Sequence, residues 1–183
     1  MGNKIFISSS DDEKDLGYAF AIDDASGKIL WKKEFNVPDL KMHVDNNLAS
    51  PSPVVDATQV YVVWYSIEKT MLTALSHEGI IQWEAEFDGI IARHGGGSTP
   101  MLTDKYVVFT REQESTSKLK SSWVAVNKQS GVTAWEIERE SSEANSFATP
   151  LLLAENDQAA QIIFASQAHG LTGVDPETGK ILW

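Results

Sequence analysis

The residues best suited to ligand chemistry stand in one loop, RHGGGST at positions 93–99. Arginine and histidine side chains can hold an anion through charge-assisted hydrogen bonds, and neighbouring glycines let the backbone approach a small molecule closely. The candidate cofactor-binding residues are therefore Arg93, His94, Gly95 and Gly96. The favoured interpretation is nevertheless structural: the loop leads into a strand, as do the matching segments 50–52 and 146–148.

The acidic and histidine side chains form no catalytic or metal-binding pattern. The run 11–15 (DDEKD) supplies oxygen ligands of the kind that Ca²⁺ takes, but it lacks the spacing of a known loop motif and predicts a solvated hairpin tip. Asp23-Asp24 and residues 175–177 fall in turns of a repeated phrase. The histidines show no metal-ligand spacing; they are His43, His77, His94 and His169. We therefore assign no catalytic residue and no metal site, and an enzymatic role is not favoured.

Composition excludes several functional classes for these 183 residues. The net charge of −11 and the scattered basic residues argue against nucleic-acid binding and against an anionic membrane surface. The chain has no cysteine, so disulfides and thiol catalysis are absent from it. No apolar stretch approaches the roughly 20 residues of a membrane span, and no targeting signal is visible at the N-terminus.

Tryptophan recurs at a regular spacing and reveals internal repeats. Trp31, Trp83, Trp135 and Trp183 are separated by 83−31 = 52, 135−83 = 52 and 183−135 = 48 residues. A glycine precedes each tryptophan by four residues, at Gly27, Gly79, Gly131 and Gly179, where a tight hairpin turn needs positive φ. A period of about 50 residues is typical of propellers and other repeat arrays.

Short apolar runs between polar turns predict small antiparallel strands. We expect 15 strands in one domain, residues 1–183, with four units at about 1–35, 50–87, 97–139 and 147–183. The first unit has three strands (4–8, 18–22, 29–35) and lacks an opening strand, whereas the others have four. In the second unit they are 53–55, 60–65, 71–75 and 80–86; in the third, 99–102, 106–110, 123–126 and 132–137; in the fourth, 149–153, 161–165, 171–174 and 181–183. Helix is limited to single turns near Ser50 or 141–144. The predicted fold is an all-β propeller of four-stranded antiparallel blades.

The repeated phrase resembles the repeats of pyrroloquinoline-quinone (PQQ)-like β-propellers. AIDDASGKILW (21–31) and GVDPETGKILW (173–183) match it closely, and AVNKQSGVTAW (125–135) and ALSHEGIIQW (74–83) are degraded copies. That superfamily includes quinoprotein alcohol dehydrogenases and a propeller lipoprotein of outer-membrane assembly. The resemblance implies that each phrase tryptophan docks one blade against the next. An indole suits that role, because it combines a large apolar area with one N–H donor.

The resemblance also implies a larger ring than four blades. By analogy the chain is part of a seven- or eight-bladed propeller, with a compact four-bladed ring as the alternative. An open half-ring would expose strand edges, and pairing with a second copy to close the ring as a homodimer would cover them. PQQ with Ca²⁺ is implied by the family alone, since the vicinal cysteines that many dehydrogenases use and an attributable Ca²⁺ ligand set are missing.

These observations favour a non-enzymatic binding scaffold, periplasmic or extracellular by resemblance, that contacts a protein or small ligand. One alternative is a fragment of a PQQ-dependent quinoprotein dehydrogenase. Another is a sensor propeller fused to a signalling domain.

Overall fold

The chain is described by a computed structural model over residues 2–11, 13–37, 47–92, 94–141, 145–154 and 159–183. These ranges contain fourteen β-strands and no helix. Consequently none of the described segments forms a helix of the length and hydrophobicity that a membrane crossing requires. The prediction of an all-β chain is confirmed.

The strands form four antiparallel sheets, each a meander in chain order. Blade 1 holds β1 (Lys4–Asp11), β2 (Leu16–Asp23) and β3 (Ile29–Asn36). Blade 2 holds β4 (Val54–Val55), β5 (Gln59–Tyr65), β6 (Lys69–Ser76) and β7 (Ile81–Asp88). Blade 3 holds β8 (Met101–Leu102), β9 (Tyr106–Arg111), β10 (Ser121–Asn127) and β11 (Thr133–Arg139). Blade 4 holds β12 (Leu151–Leu153), β13 (Gln161–Ser166) and β14 (Gly170–Val174).

Two sequence predictions differ from the structure. The strand expected at 181–183 is shorter than a regular strand: Ile181 bridges Val174, Leu182 N donates to Gly173 O at 2.8 Å, and Gly173 N donates to Trp183 O at 3.1 Å. The helical turn expected near Ser50 is an irregular turn in which Ser50 N donates to Asn47 O at 3.3 Å. Residues 142–144 of the other expected turn lie outside the described residues.

The middle strands of blades 2 and 3 are buried on both faces, because each of these two blades packs between two others. In β5, Val60, Val62 and Trp64 contribute to a cluster shared with blade 1. The alternate residues Tyr61, Val63 and Tyr65 contribute to a second cluster shared with blade 3, as expected when successive strand side chains point to opposite faces. A third cluster, with Trp123 and Phe164 stacked at a 4.0 Å centroid distance, joins blades 3 and 4.

The turn that precedes each phrase tryptophan has the backbone conformation that the sequence predicted. Gly27, Gly79, Gly131 and Gly179 have φ of 69°, 81°, 72° and 71°, the left-handed region in which a side chain is strained. In blades 1, 2 and 3 the pairing register of the last two strands shifts by a β-bulge at the same repeat position. The shifts lie between Ala21 and Ile22, Ala74 and Leu75, and Ala125 and Val126. Such bulges increase local twist and re-aim the side chains beside them.

Candidate functional site

The loop 94–100, which connects blade 2 to blade 3, is held by packing and hydrogen bonds. The His94 ring lies edge-on to the Phe147 ring at 6.3 Å, and Gly95 N donates to Ala92 O at 3.0 Å to close a turn. A Cβ at Gly96 would lie 2.2 Å from Tyr65 Cγ, so the tyrosine ring occupies the space above this glycine. The described part of the loop therefore packs closely against the Tyr65 and Phe147 rings.

The crevice beside these glycines has room for about one water molecule. A Cβ at Gly97 would lie 3.1 Å from Phe147 Cδ1, so a second aromatic ring narrows the same space. Arg93 lies outside the described residues. Cofactor binding by Arg93, His94, Gly95 and Gly96 thus stays a prediction, and the room around the described residues does not accommodate a quinone.

Hydrogen bonds tie each connecting loop to the next on this side of the sheets. Ser52 N donates to Thr99 Oγ1 at 3.1 Å, and Ser98 Oγ donates to Ala148 O at 3.1 Å. The Tyr65 hydroxyl donates to Thr110 O at 3.1 Å below the same loop. The loops that open blades 2, 3 and 4 therefore form one preorganised surface.

A half-buried carboxyl group that sequence reasoning missed, Glu112, borders this surface. Burial raises the pKa of Glu112, against the opposing effects of a hydrogen bond from Trp123 and the charge of Arg139. Trp123 Nε1 donates to Glu112 Oε1 at 3.3 Å, and the Arg139 guanidinium lies 4.3 Å from the Trp123 ring centroid. The only sequence signal for this cluster is a Glu at the end of an apolar strand, at the repeat position that Tyr65 occupies in blade 2.

Three phrase tryptophans contact the following blade in the same way. Trp31, Trp83 and Trp135 donate from Nε1 to the carbonyls of His77, Lys128 and Pro176 at 2.9, 2.7 and 3.0 Å. Their rings lie where a Cβ on Gly79, Gly131 or Gly179 would be, with closest approaches of 2.7, 2.8 and 2.9 Å. Trp183 instead donates to Gln161 Oε1 at 2.8 Å within its own blade.

Ion pairs also join neighbouring blades near these turns. The pair Asp56–Lys128 is the most enclosed of those described, because only 20% of the Asp56 side chain and 16% of the Lys128 side chain are exposed. Lys128 Nζ lies 3.2 Å from Asp56 Oδ2, and the Tyr61 hydroxyl donates to the same oxygen at 3.0 Å. Burial alone would raise the pKa of Asp56, but the amides of Thr58 and Gln59 together with Lys128 outweigh it and hold the pKa well below its usual range.

A lowered folded-state pKa means that Asp56 stabilises the fold above the pKa of the unfolded chain, and that this contribution is lost as the pH falls. We expect Asp56→Asn to lower the free energy of unfolding by about 2 kcal/mol at pH 6. Between pH 6 and pH 3 the difference in free energy of unfolding between the wild type and the variant should narrow by about 1 kcal/mol. The reason is that the Asp56 carboxylate of the wild type gains a proton in this pH range only when the chain is unfolded. Urea unfolding at both pH values measures this, and a difference that does not change with pH would contradict it.

A cleft lies between blades 1 and 2, with a cavity volume of about 190 Å³, and opens to solvent. Its floor is apolar and is formed by Phe35, Val37, Trp64, Met71 and Ile81. Its rim is polar and includes Glu34, Asn36, Lys69 and Glu84, and Ser66 lines it from a buried position. Lys69 is already paired with Glu86 at 3.1 Å. The cleft therefore offers an apolar surface bordered by Glu34 and Glu84, for which the described residues supply no ion-pair partner.

The Trp64 indole N–H next to this floor is buried and has no hydrogen-bond partner among the described residues. An unsatisfied buried donor costs about 1–3 kcal/mol. Blade 3 has Arg111 at the equivalent position, where its guanidinium pairs with Glu136 and donates to Asp88 O at 3.0 Å. The groove between blades 2 and 3 is thus lined by the Arg111 guanidinium, whose charge is paired with Glu136. The cleft between blades 1 and 2 has an apolar floor instead.

The acidic groups that resemble metal ligands are used in turns. Asp23 Oδ1 accepts from Ser26 N at 2.8 Å, and Asp175 Oδ1 accepts from Thr178 N at 2.9 Å. Across the described ranges, no three His, Asp or Glu side chains converge as a metal site would require. This donor set does not fit Ca²⁺ with PQQ.

Residues 15–183 match the family described as outer membrane protein assembly factor BamB. Among curated proteins, none matches the chain in sequence.

Similar solved structures include BamB from Moraxella catarrhalis, at 18% identity and a TM-score of 0.62 over 100% of this chain and 48% of that one. A europium-containing methanol dehydrogenase has 10% identity and a TM-score of 0.66 over 100% and 40%. A quinohemoprotein alcohol dehydrogenase from Pseudomonas putida HK5 has 15% identity and a TM-score of 0.61 over 93% and 32%. The chain spans less than half of each of these proteins, and at such identities the likeness concerns the propeller fold, which it confirms.

Proposed function

The chain belongs to the PQQ-repeat family described as outer membrane protein assembly factor BamB, and from that premise we propose that it is a non-enzymatic scaffold that binds a protein partner. The cleft between blades 1 and 2 carries the proposal. It combines a concave apolar floor with a polar rim, the arrangement typical of binding pockets. The proposed location is the periplasm or the extracellular space.

The charge of the cleft defines the partner. Glu34 and Glu84 lie on its rim, Lys69 is neutralised by Glu86, and the whole chain carries a net charge of −11. Electrostatic complementarity therefore favours an apolar side chain flanked by basic residues. Phe35 and Trp64, whose rings are 5.5 Å apart, supply aromatic surface for that apolar side chain.

A pair of short peptides tests this proposal. We expect acetyl-Lys-Phe-Lys-amide to perturb the backbone amide resonances of the cleft residues saturably, and to bind about tenfold tighter than acetyl-Glu-Phe-Glu-amide. The rim variant Glu34→Lys/Glu84→Lys should weaken binding at least about fivefold. Glu138→Lys, an equally exposed charge reversal on blade 3, is the control and should leave the affinity unchanged. Equal binding of the two peptides, or an unaffected rim variant, would refute a basic partner at this cleft.

A second copy of the chain is a further proposed partner.

A further inference from the structure

The groove between blades 2 and 3 contains an arginine that joins the two blades. Arg111 Nη1 donates to Asp88 O of blade 2 at 3.0 Å, and Arg111 Nη2 pairs with Glu136 of its own blade. The guanidinium carbon lies 5.9 Å from the centroid of the Phe87 ring. A carbonyl, a carboxylate and an aromatic ring from two neighbouring blades therefore form one guanidinium site.

The cleft between blades 1 and 2 has the same three kinds of group at the same repeat positions. The aromatic ring, the backbone carbonyl and the carboxylate follow the phrase tryptophan of their blade by four, five and one residues, respectively. The equivalent pairs, cleft residue first, are Phe35 and Phe87, Asn36 and Asp88, and Glu84 and Glu136. All three cleft residues line the cavity. The two walls of the cleft therefore repeat the groups that surround the guanidinium in the next groove.

The component that differs between the two grooves is the arginine itself. Trp64 occupies the repeat position of Arg111, and Met71 occupies that of Ser122, to which Arg111 Nε donates at 3.0 Å. An indole and a thioether carry no charge. Neither side chain therefore supplies the cation that joins blades 2 and 3.

The Glu84 carboxylate can accept such a cation from outside the chain. Its Oε1 receives a hydrogen bond from Thr73 Oγ1 at 3.3 Å, and within the described ranges no cation pairs with it. Lys69, a basic residue on the same rim, pairs with Glu86 at 3.1 Å instead. The cavity has a volume of about 190 Å³ and opens to solvent, so a side chain of a partner can reach the carboxylate.

The face of blade 3 that meets blade 4 also holds a guanidinium on an aromatic ring. The Arg139 guanidinium carbon lies 4.3 Å from the centroid of the Trp123 ring. Both arginines of the described ranges, Arg111 and Arg139, thus lie on aromatic rings. The cleft offers two such rings, Phe35 and Trp64, with centroids 5.5 Å apart, and none of its described lining residues is an arginine.

Resting on the proposed function, we infer that the basic residue of the partner is an arginine and that its side chain enters the cleft. The guanidinium donates to the Asn36 carbonyl and pairs with Glu84 while lying on the Phe35 ring, as Arg111 does at the equivalent groups. The neighbouring apolar side chain of the partner then contacts Trp64. Arginine suits this site better than lysine, because its planar group has several N–H donors in fixed directions and stacks on rings, whereas an ammonium is compact and strongly hydrated.

Two peptides of equal charge test the inference on the full chain. We expect acetyl-Arg-Phe-Arg-amide to bind at least about fivefold tighter than acetyl-Lys-Phe-Lys-amide. Saturable shifts of the cleft amides and of the Trp64 indole N–H resonance measure both affinities. The comparison of the lysine peptide with acetyl-Glu-Phe-Glu-amide tests the proposed function separately. If the lysine peptide binds tighter than the glutamate peptide but as tightly as the arginine peptide, the proposed function stands and this inference is overturned.

Two substitutions that remove the same charge from the same rim locate the guanidinium. Glu84→Gln should reduce the preference for arginine to about twofold or less, because it removes the carboxylate equivalent to Glu136. Glu34→Gln should weaken both peptides equally and keep the preference, since the equivalent residue in blade 2, Glu86, pairs with Lys69. A preference that survives Glu84→Gln, or that Glu34→Gln removes, would overturn the assignment. Melting temperatures of both variants report folding.

Discussion

Replacing Trp135 by alanine is expected to lower the free energy of unfolding by about 3–5 kcal/mol. This side chain is 8% exposed, its ring covers Gly179, and its N–H donates to Pro176 O at 3.0 Å. Truncation therefore leaves a cavity between blades 3 and 4 and an unsatisfied carbonyl at its edge. Urea unfolding followed by far-ultraviolet circular dichroism gives the free-energy difference.

Trp183 offers a matched control, because it occupies the same repeat position but is 58% exposed. At protein concentrations low enough for a single copy, Trp183→Ala should cost less than about 1 kcal/mol. Equal losses for the two variants would mean that the indole does not stabilise the contact between blades.

The second large effect is expected at Gly96, where alanine should cost about 3 kcal/mol. Its Cβ would lie 2.2 Å from Cγ of Tyr65, which is buried and donates to Thr110 O at 3.1 Å. The tyrosine ring cannot move without breaking that hydrogen bond and disturbing the cluster shared with blade 3. Thermal and urea unfolding both measure the loss.

Gly97→Ala separates crowding from a general effect of alanine in this loop. Its Cβ would lie 3.1 Å from Phe147, whose side chain is partly exposed and free to shift, so we expect a cost below about 1 kcal/mol. A fully stable Gly96→Ala protein would contradict the packing role of this glycine and would favour the ligand-facing interpretation of the loop.

The repeat made the fold predictable, because one interface chemistry occurs several times in the sequence. The spacing of Trp31, Trp83 and Trp135 located the last strands of three blades. Gly79 and Gly131 marked turns whose φ is positive as expected. The continuous apolar run 60–65 predicted β5 and is typical of a strand buried on both faces. It could not show which blades cover those faces, since that depends on blades 1 and 3 packing on either side.

The candidate sites were less predictable because they depend on differences between repeats in space. Trp64 and Arg111 hold equivalent positions, yet one lines an apolar floor and the other an ion pair. Nothing in the local sequence brings Phe35 of blade 1 to 5.5 Å from Trp64. Glu112 likewise appears as an ordinary polar residue until Trp123 and Arg139 are placed beside it.

The division of the core into three clusters, each shared by two adjacent blades, has a consequence for how the chain loses structure. Among the described residues no apolar cluster is common to all four sheets, so the folding free energy is a sum of single-blade and nearest-neighbour contributions, as in a one-dimensional array. Blades 2 and 3 each gain two neighbour contributions and blades 1 and 4 only one. Opening then proceeds inward from the outer blades, and amide hydrogens of β5, β6, β9 and β10 exchange last.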